Sequence, residues 1–436
     1  MKVSKGTKRI TAVMLAASMV LAATACAKEE RNTFTGDKTE EPAYQGNLDV
    51  ISPIAYSETE GLPLEPGTYI SIIGKDESSA FWKNVEKGVK QAAEDLNETL
   101  GYTGNDKIKV TYNAPAKTED IDEQVNILDE ELARYPDVVG VASIDEDACS
   151  VQFDLATENG IPVIALDSGN RYQGIQCTVK TDNSEAAKTG AYKLADAMGR
   201  TGEILLLVHD SKSETAKERT EAFCAEIEEK YPDVSVAEVL YCDRFDELKK
   251  EIVKEQALAT EESTTPEQAA ETEPVGNESV ETDSAAVQMT EADIAAKSAE
   301  ISDEDVILYY LEKYPNVKGM FGTNDKATQL GISALSARKA QTPEQENEEN
   351  AEEGTQDLEE ILLMGFDAGK AQLDALEKGE LAGLVVQNPF GIGYASVIAA
   401  ARTVLQAGNE AEVNTGYLWV TKENMETESI KKMLYE

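Results

Sequence analysis

The chain of 436 residues has one histidine, five cysteines and about half as many cationic as anionic side chains, 40 Lys and Arg against 83 Asp and Glu. Each scarcity removes a class of chemistry. A lone histidine, His209, leaves little room for a histidine-based triad or metal site, and it reads as the polar end of a strand. No C-x-x-C spacing occurs, so Cys149, Cys177, Cys224 and Cys242 read as buried thiols. Cys224 and Cys242, in a helix and the strand after it, are placed to be neighbours. No G-x-S-x-G nucleophile turn is present. No stripe of Lys and Arg interleaves with aromatics, and a formal net charge of -43 opposes phosphate, so nucleic acid is not an expected partner. Neither a metal nor a cofactor is called for. Apart from one run near the N-terminus, no stretch suits a membrane span.

That run extends from Ile10 to Ala23 behind Lys2, Lys5, Lys8 and Arg9, and reads as an export signal. It closes on Ala23-Thr24-Ala25-Cys26, which resembles a bacterial lipoprotein box. The resemblance implies a signal peptide over 1–26 and a lipid on Cys26 that anchors the mature chain to the membrane, with ordinary signal cleavage nearby as the alternative. Residues 27–66 mix Glu, Thr, Pro and Gly without a sustained period, which suits a flexible tether.

The negative charge is concentrated. Residues 255–305 hold 15 acidic side chains against one lysine, and 341–360 hold nine against none. Both stretches are poor in aromatics, so 255–300 and 341–358 are expected to be solvated, disordered insertions.

What remains alternates. Tyr69-Ile-Ser-Ile-Ile73 is a continuous apolar run, followed by a polar loop and by Trp82, Val85, Val89, Ala92 and Leu96 at helical spacing, with Ser78 or Ser79 as the N-cap. Strands are expected near 107–112, 138–142, 161–166, 175–179, 204–208, 234–240, 317–321, 361–366 and 383–387, with helical stretches between them. Such alternation predicts α/β architecture with doubly wound parallel sheets, and so many strands favour two lobes over one. Arg134-Tyr-Pro-Asp-Val138, Lys230-Tyr-Pro-Asp-Val234 and Lys313-Tyr-Pro-Asn-Val317 repeat one helix-to-strand corner, each with a cation closing the helix.

In parallel sheets ligands meet the carboxyl ends of the strands. Those ends carry Lys75 to Ser79, Asp145, Asp167 with Ser168, His209 with Asp210, Asp243 to Phe245, Asn324 with Asp325, Asp367 and Gln387. Carboxylates and amides beside Phe81, Trp82 and Phe245 suit a polyhydroxylated ligand, whose hydroxyls pair with the polar groups while its C–H face lies on a ring. Each residue also has a structural explanation: Trp82 heads an apolar helical stripe, Asp167 suits a cap, Asp367 stands where it would cap the helix that follows, and Asn324 stands where it would hold a turn.

Several of these pieces occur together in one known family. Ser79-Ala-Phe-Trp82, Ile161-Pro-Val-Ile-Ala-Leu-Asp167, Thr181-Asp-Asn183, Glu218-Arg219, Phe321-Gly-Thr-Asn-Asp325, Gly365-Phe-Asp367 and Gln387-Asn-Pro389, in that order, resemble the type I periplasmic binding proteins of the ribose and galactose kind, the substrate-binding lipoproteins of ABC importers. The resemblance implies a polar residue and two stacking rings at Ser79, Phe81 and Trp82. It implies sugar-hydroxyl ligands at Asp167, Arg219, Asn324, Asp367 and Gln387, and a further ring at Phe245. Ser79 and Ser168 stand where ribose binders have asparagine and arginine, which argues against ribose itself. The implied lobes are 67–181 plus 388–415 and 182–387 plus 416–436, joined by a hinge that closes over the ligand.

The expected function is therefore that of a non-enzymatic lipoprotein, outside the cytoplasm, which passes a sugar or polyol to an ABC permease. A sensor that presents the same ligand to a membrane receptor shares every one of these features. A secreted glycoside hydrolase using Asp167 and Asp367 as its carboxylate pair is the reading from another class.

Overall fold

In the computed structural model, which describes residues 42–263, 289–341 and 361–435, the alternating apolar runs become two six-stranded sheets. The first contains β1 (Tyr69–Ile73), β2 (Lys109–Asn113), β3 (Val138–Val141), β4 (Val163–Leu166), β5 (Ile175–Lys180) and β11 (Glu412–Asn414), in the order β11-β5-β4-β3-β1-β2, with every adjacent pair parallel. The second contains β6 (Gly202–Val208), β7 (Val234–Tyr241), β8 (Val317–Gly322), β9 (Leu362–Phe366), β10 (Gly383–Gln387) and β12 (Tyr417–Val420), in the order β12-β10-β9-β8-β6-β7. Only β12, at its edge, runs antiparallel to its neighbour. Helices cover both faces of each sheet, which is why β1, β3, β4 and β10 are buried along their whole length and apolar on both sides.

The two orders are the same, and the strand sequence reverses beside β1 in one lobe and beside β6 in the other. A crevice opens outside the carboxyl ends of the strands at such a reversal. Repetition extends to detail. Asp167 N donates to Val179 O at 2.8 Å and Asp367 N to Val385 O at 2.9 Å, and both aspartates adopt left-handed backbone, φ 54° and 76°. Each carboxylate is thereby turned out of its sheet at the same place in its lobe.

The chain passes between the lobes three times, after β5, after β10 and after β11. The crossings are bonded together: Thr181 Oγ1 donates to Gln387 Oε1 at 3.1 Å, Asn388 Nδ2 to Thr415 O at 2.9 Å, and Thr415 N to Lys180 O at 3.0 Å. After the second crossing comes the helix Pro389–Val404, begun by Asn388 accepting from Gly391 N at 2.9 Å. Its residues are buried almost all round, so it needs cover on both sides. The first sheet covers one side and the helix Ala80–Leu100 another. These helices touch backbone to backbone: a Cβ on Gly88 would meet the Phe390 carbonyl oxygen, and one on Gly393 that of Val85.

The remaining cover comes from a segment that sequence pattern assigns to the tether. Leu48, Ile51, Tyr56, Leu62 and Leu64 are buried, the Tyr44 ring stacks on Phe390 at 5.2 Å, and Ser52 pairs with Asn414. Residues 44–66 are thus part of the first lobe. Their apolar side chains follow no helical or strand period because each fills a separate gap, and so they look like linker in sequence. The tether's earlier residues, the signal peptide and Cys26 lie outside the described residues.

The first acidic stretch is also corrected in part. Residues 255–263 complete the helix Phe245–Ser263, and the helices Glu291–Ser298 and Asp303–Lys313 pack beside it. Thr290 and Ser302 each form a capping box with an aspartate three residues on, so several of the acidic residues are helix-start signals. Residues 264–288 and 342–358 lie outside the described residues. All four cysteines after Cys26 are free.

Candidate functional site

A cavity of about 420 Å³ lies at the two strand-order reversals. From the first lobe it takes Lys75, Asp76 and Ser79 after β1, Ile144 after β3, Asp167 after β4, and Phe81 and Trp82 from the helix Ala80–Leu100. From the second it takes His209 and Asp210 after β6, Asn324 to Lys326 after β8, Asp367 after β9, Gln387 at the tip of β10, and Arg219 from the helix Glu214–Lys230.

The loop after β1 is shaped by Asp76, whose Oδ1 accepts from Ser78 N and Ser79 N at 2.7 Å each. Ser79 then caps the helix, its hydroxyl oxygen accepting from Trp82 N at 3.2 Å. This fixes the first helical turn so that Phe81 and Trp82, edge to face at 5.3 Å, form one wall. Asp210 does the same for the second lobe, accepting from Lys212 N at 2.7 Å and Ser213 N at 2.6 Å, and Ser213 caps the helix that carries Arg219.

Arg219 is 2% exposed and has three partners: Nε donates to Asn183 Oδ1 at 2.9 Å, Nη1 to Thr323 O at 2.6 Å and Nη2 to Gln387 Oε1 at 2.7 Å. Its guanidinium lies 4.0 Å over the Phe366 ring. Burial lowers its pKa, and the Asp367 and Asp167 carboxylates oppose that shift. Gln387, held by Arg219 and Thr181, donates from Nε2 to Asp367 Oδ1 at 2.7 Å. Asp367 also accepts from Asp325 N at 2.8 Å. It does not cap the helix that follows it, because Gly369 occupies that N-cap and is paired with Gln372.

Asp167 has the opposite environment. Its nearest cation, Lys75 Nζ, is 3.9 Å away. Burial raises its pKa, with Lys75 and then Arg219 pulling the other way. Burial also takes Asp325 up to about 6, and the Asp367 carboxylate adds to the shift. His209, whose Nδ1 lies 2.8 Å from Thr323 Oγ1, is pushed down to about 3 by burial and is neutral at physiological pH. The rim is closed by an ion pair between the lobes, Glu119 to Lys326 Nζ at 3.2 Å.

Eight of the ten residues named from sequence, Ser79, Phe81, Trp82, Asp167, Arg219, Asn324, Asp367 and Gln387, line this cavity. Asn324 is also a helix cap, accepting from Ala327 N at 2.8 Å. Two stand elsewhere. The Ser168 hydroxyl turns inward and donates to Ser143 O at 2.6 Å. Phe245 is 2% exposed and packs in the core, because it opens the helix Phe245–Ser263 on its apolar face. Lys75, His209, Asp210 and Asp325 join the lining, and their strand-end positions were the available signal. Glu119 and Lys326 also line it, and Tyr435, outside the lining, donates to Asp367 Oδ1; none of the three carries such a signal.

Residues 70–264 match the sequence profile of the periplasmic binding protein domain. Solved structures share the fold across most of the chain. A carbohydrate-transporter solute-binding protein from Agrobacterium radiobacter, in complex with D-arabinose, is 21% identical with a TM-score of 0.61, covering 84% of this chain and 99% of its own. A solute-binding protein of an ABC transporter from Agrobacterium vitis with bound D-fucose is 20% identical with a TM-score of 0.59, at 84% and 99% coverage. An arabinose-binding protein from Geobacillus stearothermophilus is 22% identical with a TM-score of 0.56, at 82% and 98%. No curated protein sequence matches the chain.

Proposed function

We propose that this chain, which has the type I periplasmic binding protein fold, captures a monosaccharide or sugar-like polyol between its lobes and delivers it to an ABC importer. The observation that carries this reading is the cavity itself: carboxylates, amides and one buried guanidinium from both lobes surround a space of about 420 Å³ beside the Phe81 and Trp82 rings. Paired donors and acceptors next to an aromatic wall match the hydroxyls and the C–H face of a sugar ring. The solved relatives that bind D-arabinose and D-fucose support the same class.

Three bonded crossings between otherwise separate sheets form a hinge. The lobes open and close about it, and the closed form is what a permease recognises. Export and a lipid on Cys26 place the protein at the outer face of the cell membrane. Capture and release make and break no covalent bond in this reading. Asp367 is held by three protein donors, Gln387 Nε2, Asp325 N and the Tyr435 hydroxyl, an arrangement that suits a fixed hydrogen-bond acceptor and not a nucleophile.

Thermal denaturation against a panel of pentoses, hexoses and polyols tests the ligand class. A member present at a hundred times its Kd stabilises the protein by about 2.7 kcal/mol. A panel without any stabilising member, with D-arabinose and D-fucose included, refutes the proposal. Labelling cells with a radioactive fatty acid tests the anchor, which predicts incorporation that Cys26→Ala abolishes.

A further inference from the structure

The two walls of the cavity differ in kind. Its apolar lining side chains, Phe81, Trp82, Ile121 and Ile144, all belong to the first lobe. Every lining residue from the second lobe is polar or charged. Two rings that would have balanced the walls are unavailable. Phe366 lies beneath the Arg219 guanidinium, and Phe245 is turned into the core. A ligand ring therefore meets aromatic and aliphatic carbon on one face only.

The polar wall also has unused hydrogen-bonding capacity. Thr215, 3% exposed, has a buried hydroxyl without a partner among the described residues. Asp325 accepts from Gln329 Nε2 through Oδ1 at 2.8 Å, and no protein hydrogen bond is made to its Oδ2 among the described residues. A closed site that leaves such groups against C–H bonds loses their hydration without replacement.

Resting on the sugar-binding reading, we propose that the site selects rings with one apolar and one hydroxylated face. A pyranose with an axial hydroxyl has two unlike faces: carbon-bound hydrogens gather on one, and the hydroxyl projects from the other. An all-equatorial pyranose presents C–H bonds on both faces, so one of them must lie against the polar wall. The same holds for cyclitols. Selection is thus made by the second lobe, through what it lacks.

Calorimetric titration with matched isomers provides the test. The pairs are L-arabinose and D-xylose, D-galactose and D-glucose, and myo-inositol and scyllo-inositol, each differing in one axial or equatorial hydroxyl. The member with the axial hydroxyl should bind at least about tenfold more tightly in any pair that binds. Equal affinity within a pair, or preference for the all-equatorial member, overturns the selectivity and leaves the sugar reading standing. Binding of none of the six overturns the selectivity, and the panel in the preceding section then decides whether the sugar reading falls with it.

Discussion

The hydroxyl of Tyr435 donates to Asp367 Oδ1 at 3.0 Å, from a position 68 residues further along the chain. The same ring meets Phe81, in the other lobe, edge to face at 6.1 Å. Tyr435 is 4% exposed, and burial, followed by the Asp367 carboxylate, raises its pKa well above the usual tyrosine value. One side chain thus supports a cavity carboxylate of the second lobe and touches the aromatic wall of the first.

Tyr435→Phe keeps the ring and removes the donor. We expect a loss of about 1 kcal/mol in the stability of the unliganded protein, the net worth of a typical hydrogen bond. Asp367→Ala leaves three donors without their acceptor and should cost about 1–3 kcal/mol. Because the two groups touch, the losses should not add, and a double-mutant cycle by denaturant titration should give a coupling of at least about 0.5 kcal/mol. Additive losses would show that the Tyr435 hydroxyl contributes independently of Asp367.

Glu119 and Lys326 face each other across the cleft at 3.2 Å, with Glu119 in left-handed backbone at φ 63°. The pair is partly exposed, so it is worth at most about 1 kcal/mol and is screened by salt. Glu119→Gln should speed ligand release by a factor of about two to five in stopped-flow measurements at low salt. The difference from wild type should shrink as salt is added. A salt-independent difference would exclude the ion pair as its cause.

Asp325 titrates at about 6 in the folded chain against an ordinary value of 3.8. The folded state therefore binds the proton more tightly, and the stability this contributes is full below about pH 4 and is lost as pH rises through about 6. Asp325→Asn removes the buried charge. Its melting temperature should exceed that of wild type at pH 7.5 and converge with it near pH 4. A constant offset at every pH would contradict this assignment.

Deleting 255–300 removes the end of the helix Phe245–Ser263 and the whole of Glu291–Ser298. It also removes Glu255, which pairs with Lys313 at 3.1 Å and is hydrogen-bonded by Tyr309. We expect this deletion to lower the melting temperature by several degrees, on the scale of about 4 °C or more per kcal/mol for small domains and less for a chain of this size. An unchanged melting temperature would mean that these helices are dispensable.

Sequence alone determined β1 to β10, their parallel arrangement and the polar residues at their tips, but not the short edge strands β11 and β12. A strand buried on both faces must be apolar throughout, so its end shows as an abrupt change to Asp, Asn or Gln, as at Leu166-Asp167, Phe366-Asp367 and Gln387. Such signals are local, and local pattern records them. Tertiary structure alone decided which tips face one another and what else reaches them. Tyr435 arrives from a segment with no strand signal, and Glu119 from a loop. Residues 44–66 fill gaps whose shape exists only once the helix Pro389–Val404 is packed. Phe245 shows the same limit from the other direction: as an aromatic after a strand it suits a stacking ring, but the helix it begins turns it inward. The direction of a side chain beyond its own element depends on packing across the whole lobe, and no periodicity within a short window encodes it.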